Sequence, residues 1–274
     1  MRWRRGNVSG DIEDLRSSGG GRRPRVALGL GGLVVLGVLS LVFKTDLISP
    51  FMSVGEGTAP SVPDPLRDAR EQESVEFVSF VLDDAQSVWG QQMGNYRKAK
   101  LVLFRDGVQS ACGAAESSAG PFYCPADEKV YLDLGFFDEL RTRFRAPGEF
   151  AAAYVVAHEI GHHVQNVLGI ERRLRALQRQ DPSSANELSV KMELQADCLA
   201  GVWAHSTAQR QLLESGDLES GLGAAAAVGD DRIQKEAMGR VHPESFTHGT
   251  SAQRMQWFSR GYERGDAGTC ETFN

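Results

Sequence analysis

One segment constrains this chain more than any other: "EFAAAYVVAHEIGHHVQNVL", Glu149 to Leu168. It contains no proline, is apolar for most of its length and stops before Gly169, which predicts a long helix. Such a helix belongs in a core, yet His158, Glu159, His162 and His163 fall within six of its residues. Buried polar groups need partners. Positions i and i+4 lie about 40° apart around a helix, so His158 and His162 share one face. Their imidazoles can grip one metal ion, with Glu159 beside that face. H-E-x-x-H on a helix is the spacing of two histidine ligands and a general base, and a bound metal would make the cluster tolerable there. His163 lies about 140° from His158 and cannot join the same ion, so it is expected to be a structural or surface histidine.

Zinc held by two histidines needs one further protein ligand if a single position is to stay open. Glu193 in "MELQADCLAG" is the candidate. Asp197, four residues on, shares its helical face and is placed to accept the free ring N–H of a metal-bound histidine. The neighbours Met192, Leu194, Ala196, Cys198 and Leu199 are apolar, which argues against an ordinary charged surface. Farther on, His248 precedes a helix start at Thr250 or Ser251. It is a candidate catalytic donor to an oxyanion, with Arg254 placed to orient it or to bind substrate. Gln165, His205 and His242 belong to no pattern.

The chain has 274 residues, with 30 basic and 36 acidic side chains and a net charge of −6. Residues 1–25 hold seven arginines against three acids, so the remainder carries 23 basic and 33 acidic groups, a net of −10. An acidic body excludes a phosphate-binding face, and no nucleic-acid partner is expected. Residues 26–43, "VALGLGGLVVLGVLSLVF", carry no charge and reach the length of a membrane span. With "RRPR" before them they predict an uncleaved single-pass anchor in the cytoplasmic membrane. Residues 1–25 would then be a disordered basic tail in the cytoplasm, 44–66 a linker, and 67–274 an extracytoplasmic domain. The four cysteines all follow the anchor, and an even number in an oxidising compartment predicts two disulfides. Of three pairings, Cys112–Cys124 and Cys198–Cys270 are preferred. No C-x-x-C pair favours a cysteine zinc site.

Apolar spacing predicts a helix over 68–92, strands at Lys100–Phe104 and Lys129–Leu134, and a Gly/Ser/Ala loop between them. Further helices are expected around "FFDELRTRF", over 149–168, over 185–205 and through much of the remainder.

On four features the chain resembles the bacterial family described as "putative neutral zinc metallopeptidases". They are the start "MRWRRG", the charge-free run, "AHEIGHHVQ" with "ELQADCLAGVWA", and the ending "SFTHGTSAQRMQWFSRGYERGD". The resemblance spans the whole chain. It implies a membrane-anchored zinc metallopeptidase acting on peptide or protein substrates, with His158, His162 and Glu193 as ligands and Glu159 as base. The pairing of Glu193 with Asp197 matches the E-x-x-x-D helix of thermolysin-type enzymes. "THGTSAQR" is similar to the T-H-P-x-x-x-R segment of CAAX-processing proteases, with Gly249 in place of proline. The expected fold is α+β: zincin-like, mainly helical with a small antiparallel sheet, preceded by one transmembrane helix. The competing readings are a catalytically silent, zinc-stabilised binding or scaffold domain outside the cytoplasm, and a disulfide-held adhesion domain without metal.

Overall fold

A computed structural model describes residues 1–16 and 65–273. Eight α-helices are described: α1 (Pro65–Gln92), α2 (Gly135–Thr142), α3 (Glu149–Val167), α4 (Ile170–Gln180), α5 (Ala185–Gln209), α6 (Asp217–Ala227), α7 (Asp230–Met238) and α8 (Ser251–Arg264). The strands are β1 (Ile12–Asp14), β2 (Lys100–Phe104), β3 (Gly107–Ser110), β4 (Gly113–Glu116), β5 (Phe122–Cys124) and β6 (Lys129–Asp133).

The main sheet has the order β1-β2-β6-β5. β1 and β6 run parallel to β2, and β5 runs antiparallel to β6. β3 and β4 form a separate antiparallel hairpin. The small antiparallel sheet expected from the sequence is therefore a mixed one: β1, β2 and β6 run parallel, and β5 is antiparallel to its neighbour β6. Leu101, Val102, Leu103 and Phe104 of β2 are all buried, as a strand covered on both faces requires. Leu101 and Leu103, with Val130 and Leu132 of β6, face the helical core. Val102, Phe104 and Tyr131 face a smaller cluster with Cys124. The Cys112–Cys124 disulfide ties the hairpin turn to that second face.

On the helical side, α3 is enclosed by α1, α5 and α6. Val75, Val78, Val81, Leu82, Ala85, Val88 and Trp89 of α1 are buried at helical spacing. Two close approaches set the arrangement. A Cβ on Gly161 of α3 would lie 2.9 Å from the Ala196 carbonyl of α5. A Cβ on Gly261 of α8 would lie 1.9 Å from the Cys198 carbonyl. Only glycine permits such backbone contact at both crossings. The Cys198–Cys270 disulfide then fastens the C-terminal segment to α5.

The structure corrects the expected topology. Among the described residues no helix is long and apolar enough to cross a membrane, and the charge-free run 26–43 lies outside them. Residues 1–16, expected as a detached basic tail, pack on the domain. Ile12, Glu13 and Asp14 pair with Leu101, Val102 and Leu103. Asp11 meets Lys100 at 2.8 Å, and the Met1 ammonium meets Asp217 at 3.1 Å. A single crossing between β1 and β2 would place these paired strands on opposite sides of the membrane. That overturns the expected single-pass localisation, with a cytoplasmic N-terminus and an extracytoplasmic domain.

Candidate metal centre

The helical period of α3 brings His158 and His162 onto the face that meets α5, and the glycine contact at Gly161 draws the two helices together. Glu193 stands opposite. Its Oε2 lies 3.2 Å from His158 Nε2, and its Oε1 lies 3.3 Å from His162 Nε2. One ligand atom from each of the three side chains falls within 4.8 Å of the others.

Both histidines are fixed through their other ring nitrogen. His158 Nδ1–H donates to Asp197 Oδ1 at 2.8 Å, and His162 Nδ1–H donates to Gln165 Oε1 at 2.8 Å. Each Nε2 is thus the nitrogen turned toward Glu193. Asp197 is fully buried and held from three sides. Arg254 of α8 donates to it twice, at 2.8 and 3.0 Å, and the Tyr154 hydroxyl donates to the same carboxylate. Arg254 also reaches the Val228 carbonyl and lies 3.7 Å from Glu193.

The electrostatics follow from these contacts. Burial pushes both carboxyls up, but His162 and His158 outweigh it at Glu193, and Arg254 with His158 outweighs it at Asp197, so both are held below their ordinary values. Burial lowers the His158 imidazole, but Asp197 and Glu193 outweigh it and raise the pKa to about 9. His162 is raised against burial chiefly by Glu193. The point between the three side chains therefore favours positive charge. Two neutral-capable imidazoles, one carboxylate and an oriented N–H behind each ring are a donor set that fits a zinc ion.

Glu159 is buried beside this point, and burial raises its carboxyl above the usual range while both histidines pull it back. The group opens into a cleft of about 650 Å³. Phe122 and Tyr123 of β5, an edge strand of the main sheet, form one wall, and His248 and Arg254 stand on another side. His248 Nδ1 lies 3.1 Å from Asp230 Oδ1. The other oxygen of Asp230 accepts the backbone N–H groups of Thr247, His248 and Gly249 at 2.6–3.0 Å. Asp230 raises the His248 pKa against partial burial.

A family profile described as "putative neutral zinc metallopeptidase" matches residues 1–273. The chain belongs to that family. Similar proteins include uncharacterized protein YpfJ of Escherichia coli K12, 46% identical over 285 residues, covering 100% of this chain and 99% of its own length. Uncharacterized protein Rv2575 of Mycobacterium tuberculosis H37Rv is 45% identical over 203 residues, covering 70% of this chain and 68% of its own. No solved structure is significantly similar.

In this member of the zinc metallopeptidase family, His158, Glu159, His162, Glu193, Asp197, His248 and Arg254 all line or support one cleft. Arg254 does not touch His248 but holds Asp197. Sequence reasoning missed Tyr154, Gln165, Gln195 and Asp230. Tyr154 stands four residues before His158, a spacing that could have flagged it. Asp230 lies 18 residues before His248, and no spacing rule connects them. His163 sits on the opposite flank, fully buried, with Nδ1 2.9 Å from the Tyr123 hydroxyl and Nε2 2.6 Å from the Arg97 carbonyl. Cys112 is bonded to Cys124 and Cys198 to Cys270.

Proposed function

We propose that this protein is a zinc metallopeptidase that hydrolyses a peptide bond presented in the cleft between β5 and the α3–α5 pair. The observation that carries this reading is the convergence of His158 Nε2, His162 Nε2 and the Glu193 carboxylate beside the buried Glu159. His158, His162 and Glu193 would hold the ion. Zinc bound there would supply Lewis acidity toward the scissile carbonyl and toward water.

The remaining steps belong to the chain's own groups. Glu159 takes a proton from the attacking water and returns it to the leaving amine. Its carboxyl is buried beside the three ligand side chains, where it can reach a water held between them. Asp197, clamped by Arg254 and Tyr154, keeps the His158 ring from turning. Asp230 beside Nδ1 favours the cationic form of His248, in which Nε2–H can donate to the oxyanion that forms on the attacked carbonyl. Among the described residues β5 is an edge strand of the sheet, and its outer backbone edge could pair with an extended substrate. β6 lies inside the sheet, so the edge for such pairing is β5.

Metal analysis and peptide hydrolysis by the full chain test this reading. Wild type should hold one zinc per chain, and Glu193→Ala should lose most of it. Glu159→Gln should keep zinc and lose roughly 10²–10⁴-fold in kcat/KM. Zinc in the wild type with no turnover on any peptide library would favour a zinc-stabilised scaffold. No zinc in the wild type would remove the metal centre.

A further inference from the structure

His158 is oriented by a carboxylate, whereas its partner His162 is oriented by an amide. Gln165 is fully buried, and its Oε1 accepts from His162 Nδ1 at 2.8 Å. Its Nε2 donates to the Met192 carbonyl at 2.8 Å and to Gln195 Oε1 at 3.0 Å. Gln195, also buried, donates its own Nε2 to the Cys270 carbonyl at 2.9 Å. The chain of bonds therefore runs from the C-terminal segment, across α5, to a side chain of α3.

The direction of this chain is not free. A backbone carbonyl only accepts, so the end of Gln195 that faces Cys270 must be its NH₂ group. Its oxygen then faces Gln165. The end of Gln165 that faces this oxygen and the Met192 carbonyl must likewise be NH₂. Its oxygen is left for His162, so His162 Nδ1 must carry a proton. In the neutral ring the lone pair then sits on Nε2, the nitrogen 3.3 Å from Glu193. Two fixed carbonyls, one on α5 and one in the C-terminal segment, thus decide which nitrogen of His162 is open to a ligand. The Cys270 carbonyl is itself held in place, because Cys270 is bonded to Cys198 of α5 and Thr272 Oγ1 donates to the Lys191 carbonyl at 2.8 Å.

We propose that Gln165 and Gln195 are positioning residues of the metal centre, relaying the fixed polarity of the Cys270 and Met192 carbonyls to His162. The inference rests on the zinc reading above. It makes the disulfide-held C-terminal segment part of the metal site, although none of its residues reaches the ion. It also divides the histidines by electronic character: His158 is backed by an anion, His162 by a neutral dipole.

The test is zinc affinity of the full chain, measured by competition with a fluorescent chelator, alongside the unfolding midpoint of the zinc-free protein. Gln165→Leu should weaken zinc binding roughly 10–100-fold, the usual effect of losing the partner behind a histidine ligand. Gln195→Met leaves the His162 contact in place but removes its support, and should weaken binding by a smaller but measurable factor. A purely structural role would lower the unfolding midpoint and leave affinity unchanged, which overturns the proposal. Should Gln165→Leu fail to fold, Gln195→Met carries the test, and unchanged affinity there overturns the relay. Wild type that binds no zinc would overturn the metal centre and this role with it. Wild type and both variants binding zinc equally would overturn this role alone.

Discussion

His162 and His163 are neighbours in the chain, and the fold uses them in opposite ways. His162 has one nitrogen engaged by Gln165 and the other turned toward Glu193 in the cleft. His163 has both nitrogens engaged inside the protein, by the Tyr123 hydroxyl and the Arg97 carbonyl. Asn166 completes that network by donating to Tyr123 at 2.9 Å. The two differ in hydrogen-bond saturation as well as in burial, His163 being fully buried and His162 partly open to the cleft. A buried histidine with both nitrogens used is a structural bridge. One with a single nitrogen used and the other beside a carboxylate has a lone pair to offer, as the proposed zinc site requires.

The strongest way to break this comparison is to exchange the losses. His162→Ala should weaken zinc binding by more than the roughly 10–100-fold expected for a partner of a ligand. His163→Leu should leave zinc content unchanged but cost about 1–3 kcal/mol of stability, because the Tyr123 hydroxyl and the Arg97 carbonyl lose a buried partner. Chelator competition and urea unfolding of both variants decide the matter. Loss of zinc in His163→Leu would erase the distinction.

Gly161→Ala probes how the two helices meet. Its Cβ would sit 2.9 Å from the Ala196 carbonyl, so α5 must shift and Glu193 with it. Weaker zinc binding with a helical content equal to wild type is the expected result. An unchanged affinity would show that the α3–α5 spacing tolerates a methyl group.

Asp230→Asn sharpens the reading of the far side of the cleft. Asp230 raises the His248 pKa, so the donor should be lost on the alkaline side at a pH above the ordinary imidazole value. In Asp230→Asn the alkaline limb of kcat against pH should move down toward about 6.5. A limb that stays in place belongs to another group.

The smallest effect is the pH dependence of stability on the His163 flank. Burial lowers the His163 pKa, with the Arg97 carbonyl pulling the other way. Below about pH 6.5 the unfolded chain takes up a proton that the folded ring resists. This contribution to stability is full above that pH and is lost as the pH falls toward the folded pKa. The loss proceeds at up to about 1.4 kcal/mol per pH unit. His163→Leu should remove that slope in urea titrations between pH 5 and 7. Equal slopes in both proteins would assign the acid sensitivity elsewhere.

Much of the centre was legible in the sequence because helices impose fixed spacings. His158 with His162, and Glu193 with Asp197, are each four residues apart, and apolar neighbours marked both helices as buried. What stayed hidden depends on contacts between distant segments. β1 is only three residues, Ile12–Asp14, and forms because β2 offers a backbone edge about 90 residues later. β3 and β4 lie in a loop of glycine, serine and alanine with no apolar alternation to announce them. Gln165 was in view but silent, since an amide shows its role only when every acceptor around it is known. The predicted membrane topology failed for the same reason: the hydropathy of residues 26–43 says nothing about where residues 1–16 dock.

That docking has a consequence for how the protein behaves when shortened. β1 covers the outer edge of β2, with Leu101 N–H donating to the Asp11 carbonyl and Leu15 N–H donating to the Leu103 carbonyl. A chain cut after residue 16 would keep every proposed zinc ligand. It would also expose the apolar edge strand β2, a ready template for pairing with a second copy. Such a truncation should therefore show itself first as self-association, not as a defect in chemistry.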